Sequence, residues 1–409
     1  MPDPIITYEH KALYYGTGEQ LTEPQWKALT AFHAKGKNDC FFDIIHRGVK
    51  FKSYVGVLRV GKLTIEVLPK LDDNDSDDHW RDRLLDMLRV VTKVTSHHPS
   101  TAHLRTCPHD ILNLYLQLFA DELEQLLRGG LAKAYHGRQG NRTALRGRLL
   151  MSRHLTENLL HKERFYVADT TYDHQHPLNQ ILRQALDLAR RLAVKSDLQN
   201  RLAELDLRFP CLPELKITED LFRRIRYDCR TTAYRPAVEI ARLLLLNFHP
   251  DLRNGHNDVL ALLFNMNRLW EEFLLRSLQL YLNGYRVQGQ RSDLYWESPV
   301  LNDRMTLRPD ITVWRDGKEV AILDAKWKRF RGAASGDLHQ LFAYANHFGV
   351  SKVALVYPHA DNGVFPAGAT SGKFVRQGDC DILLLPVEAR QHCSLWMKQL
   401  AATVADWLP

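Results

Sequence analysis

The stretch Leu307–Phe330, which reads LRPDITVWRDGKEVAILDAKWKRF, constrains the fold more than any other part of the sequence. Two runs rich in β-branched residues flank Asp316 and Gly317, a dipeptide typical of tight hairpin turns. This pattern predicts two antiparallel strands, the second covering Val320–Trp327. Because apolar residues dominate both runs, we expect the hairpin to pack one face against a core.

Charged side chains gather at one end of this hairpin. Asp324 and Lys326 are two residues apart on the second strand, so both side chains lie on one face, and Ala325 points to the opposite, packed side. Asp310 opens the first strand, and the hairpin brings it beside Asp324. We therefore expect two carboxylates and one ammonium group to converge next to buried apolar residues.

Such a convergence favours a divalent cation. Two adjacent carboxylates repel each other, and a bound cation offsets that repulsion. Ligand sets made only of oxygen suit Mg²⁺, which Mn²⁺ can replace, better than zinc. A metal held here would lower the pKa of a bound water, and Lys326 would orient or deprotonate that water or neutralise charge at phosphorus. The alternative is a surface hairpin with an ordinary Asp–Lys ion pair.

Residues outside the hairpin favour the metal-site interpretation. Glu271 or Glu272, on a helix predicted before the hairpin, could supply a third carboxylate. Gln340 and Tyr344 are four residues apart on the helix predicted over Asp337–His347, so they share a face. The hairpin is followed by a basic cluster suited to a phosphate backbone, made up of Lys328, Arg329 and Arg331.

The spacing of apolar residues changes twice along the chain and predicts a multidomain α+β protein. The changes divide it into a β-rich N-terminal domain, a helical basic middle region and a C-terminal α/β domain, over residues 1–105, 106–250 and 251–409. The first domain should contain a hairpin over Lys50–Leu58 and Lys62–Leu68. The last should begin with a long helix over Val259–Leu282, followed by strands and a further helix.

The middle region holds most of the positive charge. The whole chain has 55 Lys and Arg against 48 Asp and Glu, a net charge of +7. Between Arg128 and Arg235, 21 basic residues face 12 acidic ones, a surplus of nine. A concentrated basic region is typical of proteins that bind a phosphate backbone, which makes double-stranded DNA an expected partner. The alternative is that these arginines serve solubility and packing on long surface helices.

Other features exclude several classes of protein. No apolar run approaches the roughly 20 residues that a membrane span needs, and the N-terminus lacks the basic start and apolar run of a signal peptide. The six cysteines are scattered without a CxxC pair, which is typical of reduced, cytoplasmic proteins. The GATSGKF stretch at 368–374 lacks the spacing and the Ser or Thr of a phosphate-binding loop, so we expect no nucleotide hydrolysis.

Taken together, the candidate residues resemble the PD-(D/E)xK nuclease superfamily. Its pattern combines a helical Glu, a strand Asp and a D-x-K strand, and Gln340 with Tyr344 matches the QxxxY extension of its RecB-like branch. The resemblance implies a restriction-endonuclease-like domain over residues 251–409, with Lys326 and the QxxxY pair among the catalytic residues. The metal ligands that it implies are Glu271, Asp310, Asp324 and the backbone carbonyl of Ala325.

Four further stretches are similar to the McrC family, whose members are the nuclease subunits of McrBC modification-dependent restriction systems. The four stretches are Val55–Lys70, Leu145–Arg148, Asp173–Leu182 and Phe264–Phe273. In the last stretch the acid follows a Leu–aromatic pair, which selects Glu271 over Glu272. The resemblance implies a Mg²⁺-dependent endonuclease subunit that cuts foreign DNA containing methylcytosine. It also implies an McrB-like AAA+ ring that hydrolyses GTP, reads the modified base, contacts the N-terminal region and is stimulated by this chain.

Two other functions stay open from the sequence. A stand-alone RecB-like repair nuclease would need no motor, and a non-catalytic activator of a GTPase ring would need no intact site. The set of Asp310, Asp324 and Lys326 argues against the activator, which would tolerate a degenerate set. We also expect the nuclease domain to keep its fold when the N-terminal region is removed.

Overall fold

The computed structural model of the chain contains two compact units. Unit 1 combines residues 1–111 with residues 250–409, and unit 2 spans Leu112–His249. The residues that the structure describes are 4–16, 20–34, 41–61, 63–69, 77–92, 111–249, 259–298, 303–330, 332–359, 370–374, 380–388 and 393–409.

Both units contain helices and strands. The strands are β1 (Ile5–Tyr8), β2 (Ala12–Tyr14), β3 (Phe42–Ile45), β4 (Gly48–Phe51), β5 (Tyr54–Val60), β6 (Leu63–Leu68), β7 (Ala134–Arg142), β8 (Arg148–Leu149), β9 (Phe165–Asp173), β10 (Phe248–His249), β11 (Val259–Asn265), β12 (Arg286–Gly289), β13 (Asp293–Ser298), β14 (Asp303–Leu307), β15 (Ile311–Arg315), β16 (Lys318–Ala325), β17 (Lys352–His359), β18 (Thr370–Lys373) and β19 (Asp381–Glu388). The α-helices are α1 (Glu23–His33), α2 (Asp77–Thr92), α3 (Ile111–Gly129), α4 (Met151–Glu157), α5 (Pro177–Leu192), α6 (Ser196–Arg208), α7 (Glu219–Arg224), α8 (Arg235–Leu246), α9 (Met266–Tyr281), α10 (Ser335–Phe348) and α11 (Cys393–Trp407).

The N-terminal hairpin that the sequence predicts is confirmed. β5 and β6 pair antiparallel, with Val60 opposite Leu63. The reversal passes through Gly61, whose φ of 58° lies in the left-handed region that glycine adopts without steric cost. The first predicted strand is divided, however, because Gly48–Phe51 forms β4 at the centre of a separate sheet with the order β2-β4-β3.

The predicted helix over Val259–Leu282 is wrong in its first seven residues. Val259–Asn265 forms β11, which pairs antiparallel with β5 and joins a sheet in the order β1-β6-β5-β11. Helix α9 begins only at Met266, after Asn265 caps it by accepting a hydrogen bond from the Arg268 backbone N–H at 3.1 Å. A short apolar run such as VLALLFN suits a buried strand as well as a buried helix, and here the partner strand decides.

The N-terminal and C-terminal segments therefore share one unit, whereas the sequence analysis divided them into two domains. Besides the β5–β11 pairing, Trp80 of α2 contacts Trp327 edge-on, with ring centroids 6.3 Å apart. The indole Nε1 of Trp327 also donates a hydrogen bond to Glu9 Oε1 at 2.8 Å. Removing residues 1–105 would delete partner strands and aromatic neighbours of the C-terminal segment, so the expectation that this segment keeps its fold alone is revised.

A second sheet of unit 1 positions the candidate site. Its strand order is β12-β15-β16-β17-β19-β18, and β16, β17 and β19 are parallel. Helix α10 connects β16 to β17 and packs on both. Its buried residue Leu341 lies in one core with Ile322 and Leu355, which explains why the helix is fixed against the sheet. This arrangement agrees with the mixed α/β structure predicted for the last part of the chain.

Unit 2 corrects the prediction of a helical middle region. Helices α5 and α8 do pack together, and residues such as Ile181 and Ile240 are fully buried. The unit also contains a three-stranded sheet in the order β7-β9-β8, in which β7 pairs with β9 along nine residues. The sequence of β7, AYHGRQGNR, has no apolar alternation, so the strand left no signal of the usual kind. Among the described residues, no helix combines the length and apolar composition needed to cross a membrane.

Candidate functional site

The hairpin of β15 and β16 forms as its turn chemistry predicts. Asp316 and Gly317 have φ values of 51° and 78°, the positive values that a type I′ turn requires at both central positions. The strands pair antiparallel with Ile311 opposite Leu323, and both of these side chains are fully or almost fully buried. The next pair toward the open end of the hairpin is Asp310 and Asp324, so the register fixes the two carboxylates side by side.

Asp310 and Asp324 lie in contact at the end of the sheet. The side chain of Asp324 is 1% exposed. Asp310 Oδ2 accepts a hydrogen bond from the backbone N–H of Ala325 at 2.8 Å, which holds this carboxylate against the end of β16. Ala325 is itself buried on the packed side of the strand. Two acidic groups thus lie in a site where little water can solvate them.

Lys326 connects this pair to helix α10. Its ammonium Nζ lies 2.5 Å from Asp324 Oδ2 and donates a hydrogen bond to Gln340 Oε1 at 3.0 Å. Gln340 Nε2 in turn donates to the Tyr344 hydroxyl at 2.7 Å, and that hydroxyl donates to the Arg308 carbonyl at 3.2 Å. The structure therefore brings the D-x-K lysine and both residues of the QxxxY pair into one chain of hydrogen bonds.

The two adjacent glutamates of α9 have different surroundings. Glu271 Oε2 accepts a hydrogen bond from Gln290 Nε2 at 3.2 Å, and its charge interacts with those of Asp324 and Asp310. Glu272 instead forms an ion pair with Arg276, one helical turn further on, at 3.0 Å. The geometry agrees with the choice of Glu271 over Glu272, while the chemical role of Glu271 stays a prediction.

Burial perturbs the protonation of the acidic groups. Burial, together with the neighbouring charge of Asp310, raises the pKa of Asp324 to about 7, although Lys326 opposes the shift. Burial likewise raises the pKa of Asp310 and the pKa of Glu271 above their usual values. Such shifts are typical of sites where carboxylates are forced together for a function, because the charged forms are costly unless a cation compensates them.

Lys326 responds in the opposite sense. Burial works against its charge, but the adjacent carboxylate of Asp324 outweighs that effect and raises the pKa of the ammonium group above its usual value. Burial and the charge of Asp324 also raise the pKa of Tyr344 to about 12. In the protein without metal, Lys326 is therefore a cation at neutral pH and Tyr344 keeps its proton.

The donor set fits a hard divalent cation in part. Among the described residues, no group of three or more His, Cys, Asp and Glu side chains is close enough to hold one metal ion. Asp310 and Asp324 nevertheless supply adjacent carboxylate oxygens, and Mg²⁺ is often bound by only one or two carboxylates while water and substrate complete the octahedron. The predicted ligand roles of Glu271 and the Ala325 carbonyl stay untested.

The predicted DNA-binding cluster is less available for phosphate contacts than its sequence indicates. Lys328 Nζ forms an ion pair with Asp337 Oδ2 at 2.6 Å, and Arg329 is only half exposed. Arg331 lies outside the described residues. Tyr357 also donates a hydrogen bond to Asp337 at 3.1 Å, so this aspartate is a shared acceptor that the sequence analysis missed.

Gln290 and Arg308 are two further polar residues of the site that the sequence analysis missed. The guanidinium Nη2 of Arg308 donates to Gln290 Oε1, while the amide of Gln290 donates to Glu271. Arg308 stands two residues before Asp310 in the RPD stretch, which is a weak sequence signal. Nothing in the sequence distinguishes Gln290, because its position depends on how β12 packs beside α9.

Comparison with known proteins identifies the family. The family described as McrBC 5-methylcytosine restriction system component matches residues 49–358, about three quarters of the chain. This chain belongs to the McrBC family. The match includes β5 and β6, the whole of unit 2 and the candidate site, and it ends within β17. The predicted resemblance is thereby confirmed at the level of the family, and the chain is a component of an McrBC-type restriction system.

Solved McrBC structures share the fold. A Thermococcus gammatolerans structure, described as a refined half-complex from a tetradecameric assembly of McrB AAA+ hexamers with bound McrC, aligns with a TM-score of 0.71. The identity is 19%, and the alignment covers 98% of this chain and 100% of that chain. A cryo-EM structure of the Thermococcus gammatolerans McrBC complex aligns with a TM-score of 0.53 and 21% identity, covering 69% of this chain and 89% of that chain. No curated protein matches the chain significantly.

Proposed function

We propose that this McrBC-family chain is the DNA endonuclease subunit of a restriction system and hydrolyses phosphodiester bonds with Mg²⁺. The observation that supports the proposal is the contact between Asp310 and Asp324, in a buried position where Lys326 approaches to 2.5 Å. An ordinary surface ion pair, the alternative from the sequence, would not require a second carboxylate or burial. The order of α9, β15, β16 and α10 also follows the PD-(D/E)xK pattern of helical Glu, strand Asp, D-x-K and QxxxY.

The bound metal would be held by Asp310 and Asp324, with Glu271 and the Ala325 carbonyl as further candidates. When bound, it would supply an acidified water and charge stabilisation at the phosphoryl oxygen. Lys326 carries a proton in the metal-free protein, so we assign it to neutralising negative charge on the phosphate rather than to abstracting a proton. Gln340 orients the lysine through its 3.0 Å hydrogen bond, and Tyr344 orients Gln340.

We further propose that an McrB-like AAA+ ring is the partner and that DNA containing methylcytosine is the target. The family description names a 5-methylcytosine restriction system, and the related structure contains McrB hexamers with bound McrC. Several large apolar side chains of unit 2 are exposed, which is typical of surfaces that contact other proteins. They are Leu145, Met151, Leu155, Leu159 and Leu160. Stimulation of GTP hydrolysis and contact through the N-terminal region stay predictions.

The proposal can be tested with two neighbouring substitutions on α9. Glu271→Gln and Glu272→Gln change the same chemical group on adjacent residues, but only Glu271 interacts with the candidate site. With the partner ring, GTP and Mg²⁺ present, we expect Glu271→Gln to slow cleavage of methylated plasmid strongly and Glu272→Gln to match the wild type. Equal rates for all three proteins would remove Glu271 from the site, and absence of cleavage by the wild type would refute the nuclease assignment.

A further inference from the structure

The end of β12 packs against helix α9. Gly289 ends β12, and a Cβ atom at this position would lie 2.4 Å from Leu275 Cδ2 of α9. The end of the strand therefore packs on the Leu275 side chain, and the next residue, Gln290, lies beside Glu271.

Gln290 has a backbone conformation that few residues with a side chain adopt. Its φ of 50° lies in the left-handed region, which costs free energy for any residue other than glycine. Its backbone N–H donates a hydrogen bond to the Asp310 carbonyl at 2.9 Å. Strained conformations of this kind persist where the surrounding structure requires them, and they cluster at functional sites.

The side-chain amide of Gln290 bridges groups of opposite charge. Its Nε2 donates to Glu271 Oε2 at 3.2 Å, and its Oε1 accepts from Arg308 Nη2. An amide is suited to this position because it donates at one end and accepts at the other, which neither a carboxylate nor an ammonium group does. Among the described residues, no carboxylate forms an ion pair with Arg308, whose side chain is exposed.

We propose that Gln290 is a positioning residue that keeps Glu271 and Arg308 apart, so that Glu271 faces the Asp310–Asp324 pair and Arg308 is available to a DNA phosphate. Without the amide, the guanidinium would pair directly with the Glu271 carboxylate. Each charge would then neutralise the other. The site would lose a carboxylate that faces the metal position and a cation that can bind phosphate. This inference rests on the proposed nuclease function and adds two residues to its site.

The test measures Mn²⁺ binding and DNA binding separately from cleavage. Gln290→Ala removes the amide that bridges Glu271 and Arg308. Loss of hydrogen bonds that support a metal ligand typically lowers metal affinity by about 10–100-fold. We therefore expect Gln290→Ala to lower the Mn²⁺ affinity of the full chain by about tenfold. Electron paramagnetic resonance measures this affinity. Arg308→Ala should weaken binding of duplex DNA measured without metal, yet leave Mn²⁺ affinity unreduced.

Two controls separate positioning from folding. Gln288→Ala removes an exposed glutamine two residues earlier, on β12, and should behave as the wild type. Gln290→Gly removes the side chain while accepting the positive φ, so it should lower Mn²⁺ affinity as Gln290→Ala does without lowering the melting temperature. Wild-type Mn²⁺ affinity in both Gln290→Ala and Gln290→Gly would overturn the inference. Absence of Mn²⁺ binding by the wild type would instead refute the proposed metal site.

Discussion

The candidate site of unit 1 and the basic surface of unit 2 differ in how far their charges are paired with opposite charges. In unit 1, carboxylates are concentrated in a largely buried place and outnumber the cations that act on them, since Asp310, Asp324 and Glu271 all interact with Lys326 and only Glu271 also interacts with Arg268. In unit 2, arginines are numerous, but many of them form ion pairs with carboxylates of the same unit. Arg201, for example, contacts both Asp121 and Glu124 at 2.6 Å. A charge excess therefore indicates a ligand site only where the structure leaves the charges uncompensated.

The comparison changes how the basic middle region is interpreted. The surplus of nine between Arg128 and Arg235 falls to six over the whole of unit 2, because 22 basic residues face 16 acidic ones between residues 112 and 249. Arg183 and Arg190 both contact Asp206, at 2.6 and 2.5 Å. These arginines serve the packing of α5 and α6, which was the alternative to DNA binding. Exposed arginines such as Arg146 and Arg148 are better candidates for phosphate contacts.

The largest expected effect is in unit 1. Asp324→Ala and Lys326→Ala should each reduce cleavage of methylated DNA by at least about 100-fold, the lower range for loss of a group that acts in the chemical step. The fold should persist in Asp324→Ala, because removing one of two crowded carboxylates relieves repulsion, and in Lys326→Ala, because burial already favours the protonated forms of the two aspartates. Cleavage assays with partner, GTP and Mg²⁺ measure the first effect and circular dichroism the second. Asp316→Asn, in the exposed turn of the same hairpin, should cleave as the wild type does, and a comparable loss there would break the assignment.

A charge removed from unit 2 should affect stability instead of cleavage. Arg201→Ala leaves Asp121 and Glu124 without their partner at a half-exposed position, so we expect the free energy of unfolding to fall by about 1–2 kcal/mol. Cleavage per folded molecule should be unchanged. Chemical denaturation measures the loss, with Arg191→Ala, an exposed arginine of the same unit, as the matched control. A cleavage defect in Arg201→Ala without destabilisation would mean that its ion pairs are not structural.

The pH dependence of stability tests the buried carboxylates of unit 1. The folded protein raises the pKa of Asp324 from 3.8 to about 7, so the fold favours the protonated form. The stabilisation that protonated Asp324 contributes to the folded state is therefore fully present below about pH 4. It is lost as the pH rises through about 7. Without metal, the wild type should lose stability relative to Asp324→Asn over this range, as monitored by thermal melting, and Mg²⁺ should reduce the loss. Parallel pH profiles of the two proteins would contradict the burial of a strained carboxylate.

The smallest expected effect concerns non-specific DNA binding. Replacing Lys328, Arg329 and Arg331 with Ala should lower the log–log salt slope by up to about two units, because each phosphate contact contributes about 0.9 and Lys328 already pairs with Asp337. Arg146→Ala combined with Arg148→Ala should lower it by a similar amount. Salt titrations on matched methylated and unmethylated duplexes would measure both. Preference of the isolated chain for methylated DNA should stay negligible, and a strong preference would place base recognition in this subunit.

The sequence was informative where local chemistry determines structure. The hairpin of β15 and β16 follows from a turn dipeptide that tolerates positive φ at both positions, and its register follows from the alternation of buried residues. The juxtaposition of Asp310 and Asp324 could therefore be predicted without coordinates. The choice of Glu271 over Glu272 came from the resemblance in one motif, and its role in the site stays a prediction.

What the sequence did not reveal depends on contacts between distant segments. Val259–Asn265 is a strand because β5 offers it a partner, and its own residues suit a helix equally well. Gln290 joins the site because the end of β12 packs against α9. The pairing of Arg201 with two acidic residues about 80 positions earlier in the chain is likewise invisible to a charge count.

The most direct test of the central claim is a Mn²⁺ titration of the chain bound to duplex DNA, comparing the wild type with Asp310→Asn by electron paramagnetic resonance. Asp310→Asn keeps the size of the side chain and an acceptor for the Ala325 backbone N–H, but removes one of the two charges that would hold the cation. We predict saturable Mn²⁺ binding by the wild type and a loss of at least about tenfold in affinity for the variant. Equal affinities, or wild-type cleavage that persists in excess chelator, would contradict a metal site built on this pair of carboxylates.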